Sequence, residues 1–195
     1  MDRKAQGNRH TTETQITASL CLDGSGKRKL HTGIRFFDHM LDGFARHGLF
    51  DLEVDCRGDV EVDCHHSIED TGIVLGSLIR EAVGDKKGIR RYGHVILPMD
   101  EALVLCAVDL SGRPYFVYDA HFSGDRCGEM DTQMAREFFY AVSYAAGMNL
   151  HIKVLYGEND HHIMEAMFKA FGKALDQASG IDERILDVLS TKGTL

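Results

Sequence analysis

His65-His66-Ser67-Ile68-Glu69 and His161-His162-Ile163-Met164-Glu165 are two copies of one phrase. If each lies on a helix, the glutamate stands one turn from both histidines, at i+4 from the first and i+3 from the second. A carboxylate and an imidazole can then share a cation. Adjacent histidines are about 100° apart around a helix axis, so the two rings of one phrase are aimed at different ions. The spacing therefore implies two metals. Imidazole with carboxylate and no thiolate suits Mn, Fe, Co, Ni or Zn rather than Cu(I) or an iron–sulfur cluster. One such phrase could be only a solvated helix start; two copies at corresponding places argue for a built site.

Working outward, the hydrophobic pattern repeats as well. Thr14, Ile16, Ala18 and Leu20 alternate as in a strand, ended by Asp23-Gly24-Ser25-Gly26, and Leu103 to Leu110 reads as a second strand ended by Ser111-Gly112. Phe37, Met40, Leu41 and Phe44 have helical spacing with Gly48 as C-cap, matched by Phe138, Phe139, Val142 and Tyr144 before Gly147. Strands expected at Leu49 to Cys56 and Asn149 to Tyr156 each lead into a His-His phrase. The helices that follow carry Ile68, Val74, Leu75, Leu78 and Ile79 in one half and Ile163, Met167, Phe168, Phe171 and Leu175 in the other.

Each half thus reads strand, strand, helix, strand and then helix, with a further strand just before that last helix in the first half. The seam falls near Lys86-Lys87-Gly88. The fold class is α/β (an α+β sandwich), a duplicated unit of mostly antiparallel sheet with two helices, the halves packed through those helices. Residues 1–92 form the first repeat, and 93–195 the second with a C-terminal tail.

The net charge of −8 argues against general nucleic-acid binding, which needs a basic surface. No stretch approaches the roughly 18 apolar residues of a membrane span, and the N-terminus lacks the apolar core of a secretory signal. Cys21, Cys56, Cys64, Cys106 and Cys127 are odd in number and without C-x-x-C spacing, as expected of reduced thiols in a cytoplasmic protein. Cys64 reads as a packing residue, with a ligand role as its alternative.

Gly33-Ile34-Arg35-Phe36-Phe37-Asp38-His39-Met40-Leu41, Arg46-His47-Gly48, His65-His66 to Glu69-Asp70, Pro98-Met99-Asp100-Glu101, Ser111-Gly112-Arg113-Pro114-Tyr115 and His161-His162 to Lys169 together resemble the imidazoleglycerol-phosphate dehydratase family, from about Arg9 to Gly193. The resemblance implies a lyase of histidine biosynthesis that dehydrates imidazole glycerol phosphate to imidazole acetol phosphate. It implies two Mn ions per active site and a homo-oligomer of 24 chains with sites between subunits. The metal ligands it implies are His39, His65, His66, Glu69, His161, His162 and Glu165. The family often has histidine just before the second Phe-Phe pair; here Glu137 stands there, and a carboxylate can also bind Mn. By the same resemblance Glu13 is the acid–base residue, with Asp100 and Glu101 as alternatives that could instead orient ligands. Arg91, Arg113, Lys169, Ser190 and Lys192 match the phosphate positions, and His47 is a substrate-binding candidate.

Residue by residue, blander readings stand beside these. Glu13 could be a solvated strand-edge carboxylate, His47 a helix-end histidine, and Lys169 only the i+4 salt-bridge partner of Glu165. Chemically, the proton to be lost has no adjacent carbonyl. Metal on the substrate's ring nitrogens would favour an imidazolate able to expel the neighbouring hydroxyl through a diazafulvene-like species. A di-metal phosphate-ester hydrolase would share the ligands but release phosphate. A metal-buffering protein would need neither Glu13 nor the Arg/Lys/Ser set.

Overall fold

Hydrophobic alternation along the strands and a period near 3.6 along the helices produce two similar halves in the computed structural model, which describes residues 3–195. The first contains β1 (Lys4–His10), β2 (Thr14–Cys21), β3 (Arg28–His31), α1 (Arg35–Gly48), β4 (Asp51–Gly58) and α2 (His65–Val83). The second contains β5 (Tyr92–Met99), β6 (Ala102–Asp109), β7 (Tyr115–Asp119), the short hairpin β8 (Arg126–Cys127) and β9 (Met130–Asp131), α3 (Met134–Ala146), β10 (Asn149–Tyr156) and α4 (Asp160–Ser179).

The two four-stranded sheets have the same topology, β1-β2-β4-β3 and β5-β6-β10-β7. In each, only the last pair is parallel: β3 with β4, and β7 with β10. A third strand, β3 or β7, precedes the first helix of each half, whereas the further strand read before the second helix of the first half is absent among the described residues: residues 59–64 turn instead, with the Val62 N–H donating to the Asp59 carbonyl at 2.8 Å. β7 escapes a periodicity reading because it is a five-residue edge strand that leaves Tyr115 and Val117 exposed.

The helices cross between halves. α2 lies on β1 and β2 and packs along α3, whereas α4 lies on β5 and β6 and packs along α1. Aromatic rings fill the layer between the sheets: Phe37, Phe44, Phe138, Phe139, Phe168 and Phe171 are fully buried. Phe44 stacks on Phe171 at 5.1 Å, and Phe138 on Phe168 at 5.0 Å. Tyr144, read as part of this apolar set, instead faces outward and packs against Tyr140 at 4.3 Å.

Close helix contact requires glycine at two matching places. A Cβ on Gly76 of α2 would meet the Val142 carbonyl of α3, and one on Gly172 of α4 would meet the Phe44 carbonyl of α1. Gly48 is needed for a different reason from the one its sequence position suggests. It remains helical, and Leu49 takes the left-handed cap at φ 59°, its N–H returning to the Ala45 and Arg46 carbonyls. A side chain on Gly48 would run into the Phe50 ring.

Gly172→Ala should therefore force α1 and α4 apart and cost about 1–3 kcal/mol, the usual range for overpacking. Urea unfolding of the variant beside Gly43→Ala, a helical glycine whose added methyl would meet only the Lys169 side chain at an ordinary 3.6 Å, separates crowding from the backbone effect of replacing a glycine within a helix.

Candidate active site

Both His-His phrases begin a helix at the end of a core strand. In the second half, the Asn159 side chain caps α4 by accepting from the His161 and His162 N–H groups. Asp160 pins the same turn to the 120s loop, accepting from Ser123 N at 2.9 Å and Gly124 N at 2.7 Å. In the first half Asp63 accepts from the His65 N–H at 2.7 Å. The phrases are thereby fixed at their backbones, and only the side chains remain free to bind.

As helical geometry requires, the two rings of each phrase diverge. His65 and His66 have centroids 6.1 Å apart, as do His161 and His162. The glutamate of each phrase faces the first histidine, with Glu69 Oε2 3.7 Å from His65 Nε2 and Glu165 Oε2 3.3 Å from His161 Nε2.

Because α1 packs on α4, His39 joins the second pair. Its Nε2 lies 3.7 Å from Glu165 Oε2, and one ligand atom from each of His39, His161 and Glu165 falls within 4.8 Å of the others. Among the described residues this is the one group of three arranged for a metal; Glu137, His65 and Glu69 do not form its counterpart. Glu137 instead pairs with Arg136 at 3.0 Å. The Phe36 ring supports the trio from beside, edge-on to His161 at 5.0 Å.

Burial pushes the Glu165 carboxyl up. The Lys169 ammonium at 2.7 Å, with the charges of His39 and His161, outweighs burial and leaves it below the usual carboxylate range. Glu165 is thus an anion with one oxygen toward Lys169 and the other toward the two imidazoles. Two imidazoles and an ionised carboxylate, each with a ligand atom facing a common point, suit a divalent ion such as Mn. The i+4 pairing of Lys169 with Glu165 is realised, so Lys169 neutralises the Glu165 carboxylate.

The second histidines meet other carboxylates. His66 Nδ1 contacts both oxygens of Asp59, at 3.1 and 3.0 Å, and its Nε2 lies 3.7 Å from Glu13 Oε1. His162 Nδ1 contacts Glu101 at 2.7 Å, with Asp100 Oδ2 3.7 Å from Nε2. Both imidazoles are raised in pKa, Asp59 being the main cause for His66 and Glu101 for His162. The Glu101 carboxyl is held down at about 2, first by His162 and then by backbone N–H groups including that of Asn159.

Glu13 sits exposed in the β1–β2 turn, and that turn is anchored from beneath. Thr11 Oγ1 accepts from the N–H groups of Glu13 and Thr14, and the buried Thr14 hydroxyl donates to Asp70 at 2.5 Å. Arg9 adds an ion pair to Asp70 at 2.8 Å.

The phosphate candidates are dispersed. Arg91, nearly buried, holds Asp109 through Nε at 2.7 Å and donates to the Leu189 carbonyl at 2.8 Å, which ties the C-terminal tail beside β6. Ser190 follows at once, its hydroxyl accepting from the Lys192 N–H at 3.2 Å. Arg113 is exposed in the turn before β7; its backbone carbonyl accepts from the Asn149 amide at 2.6 Å, while its guanidinium makes a long contact, 3.4 Å, to the Ser111 carbonyl. His47 stands at the exposed end of α1. Burial and the nearby Lys169 and Lys173 lower its pKa, which favours the neutral ring.

Asp59, Asp70 and Asn159 were not among the sequence-derived site candidates. Asn159 was detectable, since Asn followed by Asp directly before an apolar-periodic run is a helix-start signal. Asp59 and Asp70 lie on contacts that only the folded chain brings together.

The duplicated α/β scaffold with its two crossed helix pairs is shared with solved structures of dehydratases. The chain belongs to the imidazoleglycerol-phosphate dehydratase family, whose profile matches residues 32–175, and it is a hydro-lyase. It is 61% identical over 195 residues, all of both chains, to the imidazoleglycerol-phosphate dehydratase of Lachnoclostridium phytofermentans. It is 60% identical, again over all of both chains, to that of Acetivibrio thermocellus. The crystal structure of imidazoleglycerol-phosphate dehydratase from Staphylococcus aureus superposes with a TM-score of 0.83 at 39% identity, covering 92% of this chain and 99% of that one. That of IGPD from Pyrococcus furiosus gives 0.82 at 36%, covering 97% and 100%.

Asp70→Asn should loosen the turn that carries Glu13. Weakening the buried Thr14 contact and the Arg9 pair is expected to cost about 1–3 kcal/mol. Amide hydrogen exchange should show faster exchange at Glu13 and Thr14 while α4 stays protected; uniform protection in both would show that Asp70 does not anchor the turn.

Proposed function

We propose that this chain dehydrates imidazole glycerol phosphate to imidazole acetol phosphate in histidine biosynthesis, in the cytoplasm, as a Mn-dependent homo-oligomer of 24 chains. The observation that carries this reading is the meeting of His39, His161 and Glu165 across the two halves of a chain that matches its relatives end to end. Histidine biosynthesis and the dehydratase class follow from family membership. The metal, the residue roles and the assembly are the further content of the proposal.

In this reading His39, His161 and Glu165 hold one Mn ion, while His65, His66, Glu69, Glu137 and His162 complete the two-ion set with a neighbouring subunit. The separation of these groups within one chain supports a site shared between copies. Mn bound there would supply Lewis acidity to the substrate's imidazole.

The chain's own residues do the rest. Substrate phosphate is held by Arg113, Lys169, Ser190 and Lys192, with Arg91 acting through the tail it fixes and neutral His47 at the rim. Charge-assisted contacts to phosphate are the strong ones, and they align the ring. The hydroxyl on the carbon beside the ring leaves as water, taking up the proton released from the ring nitrogen. Glu13 takes the proton from the next carbon and returns it to the ring nitrogen, and the resulting enol becomes the ketone as its O–H proton passes to the carbon that lost the hydroxyl. Its position on a pinned turn, with its carboxylate near His66 Nε2, suits it to proton transfer at that end of the site.

Purified protein supplied with Mn and imidazole glycerol phosphate should form an enolisable ketone. Release of inorganic phosphate without ketone would overturn the reading in favour of a di-metal hydrolase. Glu13→Gln keeps the shape of the side chain but cannot carry a proton, so turnover should fall about 10²–10⁴-fold with Mn content unchanged. Wild-type turnover in that variant would move the role to Asp100. Because intersubunit metal bonds add stability only to the assembly, chelation should shift the protein to smaller species by size-exclusion chromatography. An undiminished particle after verified Mn removal would contradict metal-linked assembly.

A further inference from the structure

We propose that Asp59 and Glu101 are positioning residues that fix the rings of His66 and His162 with Nε2 as the ligating atom. The inference rests on the metal-holding reading of the two histidines given above. In each ring the Nδ1 side is taken by a carboxylate, with Asp59 oxygens at 3.1 and 3.0 Å from His66 and Glu101 at 2.7 Å from His162. A carboxylate on Nδ1 accepts the proton there, selects the tautomer with its lone pair on Nε2, and makes that nitrogen more basic toward a metal.

The repetition is not a simple inheritance of the duplication. Asp59 precedes its histidine by 7 residues, in the loop between β4 and α2, whereas Glu101 precedes its own by 61, in the turn between β5 and β6. Two unrelated backbone sites have supplied the same contact to the same ring atom. Helix geometry explains the need. The glutamates of the two phrases are engaged with His65 and His161, so the second ring of each phrase has no intrahelical partner to orient it.

The assignment also separates Glu101 from the residues beside the reacting end. Its carboxylate is saturated by His162 and by the backbone N–H groups of Glu158 and Asn159. Glu13 and Asp100 occupy matching places on the other side, each with an oxygen 3.7 Å from Nε2 of its histidine. Glu101 therefore orients, and Glu13 and Asp100 are the carboxylates left facing the ligating atoms.

The test measures Mn affinity of the full-length protein by competition with a metal-binding indicator, without substrate or turnover. Asp59→Ala and Glu101→Ala should each weaken Mn binding roughly 10–100-fold. Asp59→Asn and Glu101→Gln, which keep an acceptor for Nδ1–H and lose the charge, should fall between alanine and wild type. That graded recovery is the readout that a merely structural role would not give. Glu101 also caps the turn before α4, so Glu101→Ala could fail to fold; Asp59, whose carboxylate contacts only His66 among the side-chain bonds of the described residues, then carries the test. Wild-type protein that takes up no Mn overturns the metal reading itself. Wild type that binds Mn, beside a folded Asp59→Ala with unchanged affinity, overturns this inference alone.

Discussion

The crossing of α1 over α4 is the constraint on which the site depends. His39 is far in sequence from His161 and Glu165, and no local rule joins them. They meet because α4 has glycine where the Phe44 carbonyl of α1 approaches, and because Phe44 and Phe171 stack at 5.1 Å across the same contact. The other helix pair repeats the device with Gly76 against Val142. Burial of large rings supplies the attraction, and the glycines let it act at short range. The ligand geometry follows from a packing decision made one or two turns away.

Much of this could be read from the chain. The His-His-x-x-Glu phrases are helical in both halves, their adjacent rings diverge, and β2, β6 and β10 lie where alternation put them. The repeat was legible because duplicated hydrophobic patterns reinforce one another, so weak signals in one half are supported by the other. What could not be read was which helix of one half lies against which helix of the other. Periodicity fixes the buried face of α1 and of α4 but says nothing about the partner, and so the trio's membership needed the fold. The Leu49 cap was misplaced by one residue for a related reason: Gly48 looks like a helix terminator, yet its value is the space it leaves for Phe50.

Symmetry in the backbone and asymmetry in the side chains set the two helix pairs, α1 with α4 and α2 with α3, apart. The α1–α4 pair gathers His39 of the first half with His161 and Glu165 of the second. The α2–α3 pair presents His65 and Glu69 alone, with Glu137 turned to Arg136. Buried Asp70 supports the Glu13 turn in the first half, whereas the residue following Glu165 is Ala166, which supports nothing comparable. A duplicated scaffold thus carries one helix pair, α1 with α4, that gathers a histidine–carboxylate trio and another, α2 with α3, whose Asp70 anchors the turn of Glu13.

The central claim is that helix crossing within one chain builds a metal centre from His39, His161 and Glu165. Anomalous diffraction at the Mn absorption edge, on crystals of the Mn-loaded protein, tests it most directly. The account places an anomalous peak within bonding distance of His39, His161 and Glu165 of the same chain. Mn peaks that are present but leave these three residues without a shared ion would contradict it.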